Sequence, residues 1–473
     1  MEGFIGRARE LALLERLLAR VTEGGRAGRP GRAILIRGRR RVGKSRLVEE
    51  FVDQAAVPYV FFTASGQPTV EADLRLFAEA VRESTLPDTE LFRDQAPGTW
   101  DAALRLLAQC LPDDQPSVVV IDEMPYLIAT DAGFEGTLQK IFDRELSRKP
   151  MLLVCVGSDL AMMEALNSYG RPFHQRATEL VIPPLSPADA AEMLGLPAAD
   201  ALDAYLVSGG LPLILDEWPT GVTALDYVAD AVTDPLSALL VSGERALAAE
   251  FPAGSQARLV LGAIGTGERS FTKIQRAAGG MAQASLERAL RLLTAKRIVQ
   301  AATPLSTRPS RETRYSIADP HLRFWLAFPG RHMPEIERGR GDLLIRRINA
   351  SWPSWLGAAI EPVIRESLRR ISDQLPGDTQ AVGGYWTRSN DPEIDLVGAD
   401  REPVAQRISF VGSIKWRENR PFDERDLAEL IAHRAKMPGA DEATPLLAVA
   451  RSGVSVVSPT AIGPEDLLGA WRR

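Results

Sequence analysis

Gly38-Arg39-Arg40-Arg41-Val42-Gly43-Lys44-Ser45 has residue types and spacing that point to one chemistry. It fits G-x-x-x-x-G-K-[ST], a loop whose backbone N–H groups wrap nucleotide phosphates. The glycines Gly38 and Gly43 allow a tight turn and a close approach to the anion. Lys44 is placed to reach the β- and γ-phosphates, and the Ser45 hydroxyl to hold Mg²⁺. Arg40, Arg41, Val42 and Arg46 complete the set expected at the nucleotide. A second element follows at Ser117-Val118-Val119-Val120-Ile121, an apolar run that ends in Asp122-Glu123. A carboxylate at the tip of a neighbouring parallel strand faces the crevice where ligands bind. Asp122 is read as an Mg²⁺ ligand, directly or through water, and Glu123 as the general base for the attacking water. The alternative is an acidic pair that merely ends a strand and caps the next turn.

These groups need a scaffold to position them. Ala33-Ile34-Leu35-Ile36 has the composition of a buried parallel strand, and Leu47, Val48, Phe51 and Val52 recur at helical spacing after the loop. Strand, loop, helix is the context that puts phosphates at a helix N-terminus. Further strands are expected at 59–62, 117–121, 151–156 and 180–182, with helices over about 71–82, 100–111 and 134–147. Strands that alternate with helices give a parallel α/β sheet. Ahead of them stand an amphipathic helix within residues 1–22 and a Gly/Arg/Pro loop from Glu23 to Gly31.

At 473 residues the chain is too long for one core. Hydrophobic content of 45% and charged content of 25% belong to an ordinary globular composition. Nothing reads as a transmembrane run or as a secretory signal at Met1-Glu2-Gly3-Phe4. Cys110 and Cys155 each sit in apolar runs, and four scattered histidines make no zinc pattern, so a reducing, cytoplasmic setting is expected. The net charge of −6 is unevenly spread: residues 251–350 hold 17 Lys/Arg against 7 Asp/Glu. That asymmetry is either a local surface for a polyanion or a solvated, salt-bridged face.

From Ser186 the chain turns to Ala/Leu-rich helices, read as a helical segment to about Gly254. Residues 256–318 have the order of a winged helix: three helices, then strands at 298–301 and 313–317 around an Arg/Pro-rich tip, Leu305–Arg311. Gln283, Ser285, Arg288 and Arg291 would face a DNA groove, with Arg308, Arg311 and Arg314 on phosphate. A pure packing module is the alternative. Near the C-terminus, a helix opening at Gly357 with Glu361 precedes Asp395 on one strand and Ser413-Ile414-Lys415 on the next. Acidic residues beside x-I-K are the arrangement of metal-dependent nucleases, where a metal activates water and a lysine stabilises phosphate charge.

Taken together, the chain resembles the archaeal-type ATPase family of P-loop proteins, within the AAA+/STAND group. The carriers are Phe4-Ile5-Gly6-Arg7 with Glu10-Leu11, the loop Gly38 to Ser45, Val120-Ile121-Asp122-Glu123, Gly157-Ser158, the Arg176 stretch before Pro184-Leu185-Ser186, Gly209-Gly210-Leu211-Pro212, and Ile317-Ala318-Asp319-Pro320 with Leu322-Arg323-Phe324-Trp325. The resemblance implies ATP rather than GTP, with Mg²⁺. It places Ile5 and Arg7 near the base, makes Ser158 the polar sensor of the γ-phosphate, and offers Arg176 as an arginine sensor or finger, a helix-capping arginine being the equal alternative. It implies an α/β fold overall: a P-loop NTPase core at 1–185, a helical lid at 186–254, a winged helix at 255–335 and a PD-(D/E)xK-like domain at 340–473. Glu361, Asp395 and Lys415 fall on the acidic, acidic and lysine positions of that last domain. Ser413 stands where a carboxylate is usual, and a hydroxyl is a poorer ligand for a hard cation, so a degenerate nuclease site is favoured over an active one. The expected partner is DNA, with no membrane and with self-association left open. The competing functions are a non-cleaving nucleotide-regulated switch or transcription regulator, and an ATP-dependent nuclease.

Overall fold

The computed structural model describes residues 4–22, 30–67, 69–94, 96–158, 160–166, 171, 176–252 and 254–472. Most of the Gly/Arg/Pro loop expected from Glu23 to Gly31 lies outside them, as do the first three residues. The chain divides into two compact units, Met1–Pro184 and Leu185–Arg473.

The first unit is built on five parallel strands: β1 (Arg32–Arg37), β2 (Tyr59–Thr63), β3 (Ser117–Asp122), β4 (Met151–Gly157) and β5 (Ala177–Val181). Their order is β2-β3-β4-β1-β5. β3 and β4 are buried at every position, as befits central strands covered on both faces. The order has a consequence for chemistry. β4 lies between β1 and β3, so the tip of β4 stands between the phosphate loop and Asp122. This is the P-loop NTPase arrangement expected from the sequence.

β5 differs from the expected 180–182. It begins at Ala177, in register with Ala33 of β1, and ends at Val181. It is an edge strand of mixed burial, and Thr178 and Glu179 interrupt the apolar run that would have marked it.

The second unit opens with five helices between Pro187 and Glu250. Three more follow, Gln256–Gly265, Phe271–Ala277 and Gln283–Ala295, and then an antiparallel ribbon of β6 (Val299–Ala302) and β7 (Arg314–Ile317). A mixed sheet closes the chain: β8 (Ala381–Trp386), β9 (Glu393–Ala399), β10 (Ile408–Lys415), β11 (Leu446–Ala450) and β12 (Thr460–Ile462), in the order β12-β11-β10-β9-β8. One apolar core runs without a break from Leu185–Leu240 through Phe324–Leu375 into this sheet.

The helix expected to open at Gly357 in fact spans Gly341–Arg370, with Pro353 and Pro362 inside it. An internal proline costs a helix about 3 kcal/mol. The helix persists because Leu344, Ile348, Trp352, Leu356, Ile360, Ile364 and Leu368 form one buried stripe along its length. Each fully buried residue of that kind contributes roughly 1.5–3 kcal/mol.

Candidate functional site

The phosphate loop leaves β1 at Gly38 and enters the helix Lys44–Ala55 through Gly43, whose φ is 84°. A Cβ at Gly38 would meet the Ile182 carbonyl oxygen at 2.6 Å, so glycine is required where the loop passes β5's extension. Lys44 is buried, and its Nζ donates to the carbonyls of Gly38 (3.1 Å) and Arg39 (3.0 Å). Burial pulls its pKa down, while Glu123 and Asp122 push it up. The ammonium is thus held at the mouth of the loop in front of two carboxylates.

Ser45 Oγ donates to Asp122 Oδ2 at 2.7 Å, across the sheet from the loop helix to the tip of β3. A hydroxyl and a carboxylate converging in this way are hard oxygen donors suited to Mg²⁺. Asp122 Oδ1 accepts the backbone N–H of Glu123 at 2.8 Å. Glu123 has a φ of 53°, a left-handed conformation unusual for a residue with a side chain. That turn directs its carboxylate back over the sheet, where Oε2 accepts from Ser158 Oγ at 2.9 Å. Lys44, Ser45, Asp122, Glu123 and Ser158 therefore come together at the C-terminal ends of β1, β3 and β4.

Around this centre the other expected residues take different places. Arg7, with a φ of 63°, donates through Nη2 to the carbonyls of Val42 (2.9 Å) and Pro183 (2.7 Å). Its guanidinium braces the loop from behind. Ile5 lies nearby in sequence and is half-buried. Arg40 and Arg41 are exposed on the loop, and Arg40 Nη2 donates to the Tyr126 hydroxyl at 3.2 Å. Arg46 is exposed and pairs with Glu49 and Glu50 one turn on.

Arg176 does not join the constellation. It immediately precedes Ala177, which pairs with Ala33 at the start of β1, whereas the phosphate loop follows the far end of the same strand. At about 3.3 Å per residue, the length of β1 separates them along the sheet. Its Nε instead contacts both oxygens of Asp143, at 3.1 and 3.0 Å.

In the second unit Glu361, Asp395 and Ser413 converge, but a cation of the chain itself stands among them. Arg365 Nη2 donates to Glu361 Oε2 (2.9 Å) and to the Asp395 carbonyl (2.8 Å), and its Nε to that same carbonyl (3.1 Å). Asp395 Oδ2 accepts from Ser413 Oγ (3.1 Å) and the Ile414 N–H (2.8 Å). Burial raises the Glu361 pKa, opposed by Arg365 and Arg269. Lys415 turns away, toward Glu429 (3.3 Å) and Asp426 (3.6 Å). Among the described residues no group of three or more His, Cys, Asp or Glu is placed to hold a metal ion. Arg365 was not singled out from the sequence. Its signal was present as Glu361-x-x-x-Arg365, the spacing at which a helix pairs opposite charges. Tyr126 carried no comparable signal.

Of the residues expected at DNA, Gln283, Arg288, Arg291, Arg308 and Arg311 are exposed and Ser285 half-exposed. Gln283 Nε2 donates to Glu287 at 2.9 Å. Arg314 is a correction: it pairs with Glu393 (2.6 Å), donates to Asn390 (2.8 Å) and lies 4.5 Å over the Trp386 ring. A guanidinium so engaged is not available to phosphate.

Two family models match parts of the chain. Residues 28–160 match the family described as AAA domain. Residues 325–429 match a family described as archaeal and bacterial proteins of unknown function. No curated protein matches the sequence. Among solved structures, a Walker-type ATPase of Pyrococcus abyssi is 18% identical, with 69% of this chain and 96% of that one covered and a TM-score of 0.49. The Aeropyrum pernix ORC2 protein, solved as ADPNP–ADP complexes, is 18% identical over 74% and 98%, with a TM-score of 0.46. CDC6p from Pyrobaculum aerophilum is 15% identical over 73% and 97%, with a TM-score of 0.34. Overlays this loose carry no inference about activity. No helix among the described residues is long and apolar enough to cross a membrane.

Proposed function

We propose that the chain is an Mg²⁺-dependent ATPase of the archaeal-type AAA+/STAND group, cytoplasmic, whose second unit engages DNA. The observation that carries this is the convergence of Lys44, Ser45, Asp122, Glu123 and Ser158 at one end of a parallel sheet. ATP is the substrate. The loop N–H groups and Lys44 bind its β- and γ-phosphates, and Ser45 with Asp122 would hold Mg²⁺, which when bound offsets phosphate charge. Glu123 orients and deprotonates the attacking water. Ser158, already hydrogen-bonded to Glu123, is positioned to exchange that bond for one to the γ-phosphate. Coupled to that exchange, the Glu123 carboxylate is freed when nucleotide arrives.

The domain reading goes with it: a P-loop core at 1–185, a helical lid at 186–254, a winged helix at 255–335 and a PD-(D/E)xK-like domain at 340–473. Because Arg365 pairs with Glu361 and Lys415 faces another helix, the last of these binds rather than cleaves. Arg176, at the opposite end of the strands from the loop, keeps only the role of a finger offered to a second copy.

Lys44→Ala and Glu123→Gln test the assignment. Steady-state ATP hydrolysis falls to background in the first. In the second, ATP still binds while kcat drops about 100-fold or more, the scale of losing a general base. Turnover that survives either change overturns the site. Slow or single turnover by the wild-type chain would instead favour the nucleotide-regulated switch, for which the Ser158–Glu123 bond is the supporting feature.

A further inference from the structure

We infer that duplex DNA is held on the exposed face of the helices Phe271–Ala277 and Gln283–Ala295 alone, and that the loop between β6 and β7 serves as an internal strut. The inference rests on the DNA reading above and assigns it a surface.

Two independent observations point there. The first is charge. Between residues 270 and 300 the chain carries Lys273, Arg276, Arg288, Arg291, Lys296 and Arg297 against one carboxylate, Glu287. Lys273, Arg276, Arg288, Arg291 and Arg297 are exposed, and none enters an ion pair among the described residues. Several arginines elsewhere in the unit are matched, Arg258 with Glu244, Arg340 and Arg346 with Asp342, and Arg347 with Glu335, while Arg308 and Arg311 of the loop are exposed like those of the helices. Six basic residues against one carboxylate within about 30 residues, in a chain of net charge −6, make a local basic patch suited to an outside polyanion. Leu286, Ala289, Leu290 and Leu293 are buried, which turns Arg288 and Arg291, three residues apart, to the outward side of their helix.

The second is the fate of the loop. Leu305 is 3% exposed and belongs to the core of the C-terminal sheet, and its N–H donates to the Gly384 carbonyl of β8 at 2.9 Å. Ser306 is 1% exposed and makes an isolated bridge to Val404, between β9 and β10, its carbonyl accepting the Ala405 N–H at 3.0 Å. Trp386 Nε1 donates to the Glu312 carbonyl at 2.9 Å, and Arg314 stacks on the same ring while pairing with Glu393. Both sides of the loop are therefore fastened to the C-terminal sheet, at β8, β9 and the segment at Val404–Ala405. A wing so fastened is not free to follow a DNA backbone, whereas a helix face of this kind fits a major groove.

Fluorescence anisotropy with a labelled duplex of about 20 base pairs, the full-length chain and a salt titration tests this. Arg288→Ala with Arg291→Ala should weaken binding at least about 10-fold at roughly 0.1 M salt and lower the slope of log K against log[salt] by about 2, at about 0.9 per phosphate contact. Lys273→Ala with Arg276→Ala should act in the same direction. Arg308→Ala with Arg311→Ala should leave affinity and slope within about 2-fold of wild type. Thermal melting confirms that each variant is folded. A loop variant that loses as much as the helix variants overturns the inference, as does a helix variant with unchanged slope. Failure of the wild-type chain to bind any duplex at low salt refutes the DNA reading itself, an outcome distinct from binding that survives the helix substitutions.

Discussion

Arg365→Met would leave the second unit with a carboxylate that has lost its counter-charge. In the wild-type chain the guanidinium gives one bond to Glu361 Oε2 and two to the Asp395 carbonyl, with both side chains of the ion pair about one-fifth exposed. Removing one partner of a fully buried pair costs about 3–5 kcal/mol, and the residual exposure here brings the expected loss to about 2–3 kcal/mol. The loss should depend on pH. Burial already raises the Glu361 pKa above its ordinary 4.5, and Arg365 is the chief influence holding it down, so the variant raises it further. A carboxyl whose folded pKa exceeds its unfolded one binds protons more tightly in the native state. Its contribution is then greatest below 4.5 and is lost as pH rises through the folded value. The variant should accordingly be closer to wild type at about pH 5 than at about pH 7.5. Glu361→Gln in the same chain should recover all but about 1 kcal/mol, which makes the pair a double-mutant cycle. Urea unfolding followed by tryptophan fluorescence reads the right unit, because every tryptophan except Trp100 lies in it. A loss under about 0.5 kcal/mol, or no rescue by Glu361→Gln, would refute the claim that Arg365 serves as this site's cation.

Three further outcomes are expected. Arg7→Ala removes the two bonds to Val42 and Pro183, and should raise the KM for ATP about 10-fold with kcat little changed, since it braces the loop without touching the reacting atoms. Asp203 is pushed up to about 6 by burial, against the pull of Arg451 and Trp416. Stability of the second unit should therefore fall by up to about 3 kcal/mol as pH rises from about 4 through about 6, and Asp203→Asn should flatten that slope in urea midpoints. Linear or supercoiled DNA incubated with Mg²⁺ or Mn²⁺ should remain intact; cleavage that Asp395→Ala abolishes would restore the nuclease reading.

Much of the first unit was legible because local sequence states it. β1, β3 and β4 are uninterrupted apolar runs, and an all-parallel sheet buried on both faces demands that composition. The loop Gly38–Ser45 and Asp122-Glu123 are contiguous motifs whose spacing is itself the chemistry. β5 was read three residues late because an edge strand tolerates Thr178 and Glu179, and the latter finds a partner in Arg37 across the pair. The helix from Gly341 was read short because its prolines argue locally for a break that a continuous buried stripe overrides.

The residue types were therefore enough to determine that this chain holds a phosphate loop with an acidic strand tip, and in what order its elements come. Long-range contacts decided which charges remain free to act. Ser158 meets Glu123 only because β4 threads between β1 and β3. Arg176 is removed from the site by strand direction, and Arg314 by Glu393 and Trp386, 79 residues or fewer along the chain. Arg365 closes the carboxylate cluster through a carbonyl 30 residues away. A charged side chain has several possible partners, and its free energy depends on which of them burial brings within a few ångströms, a quantity that only the folded chain sets.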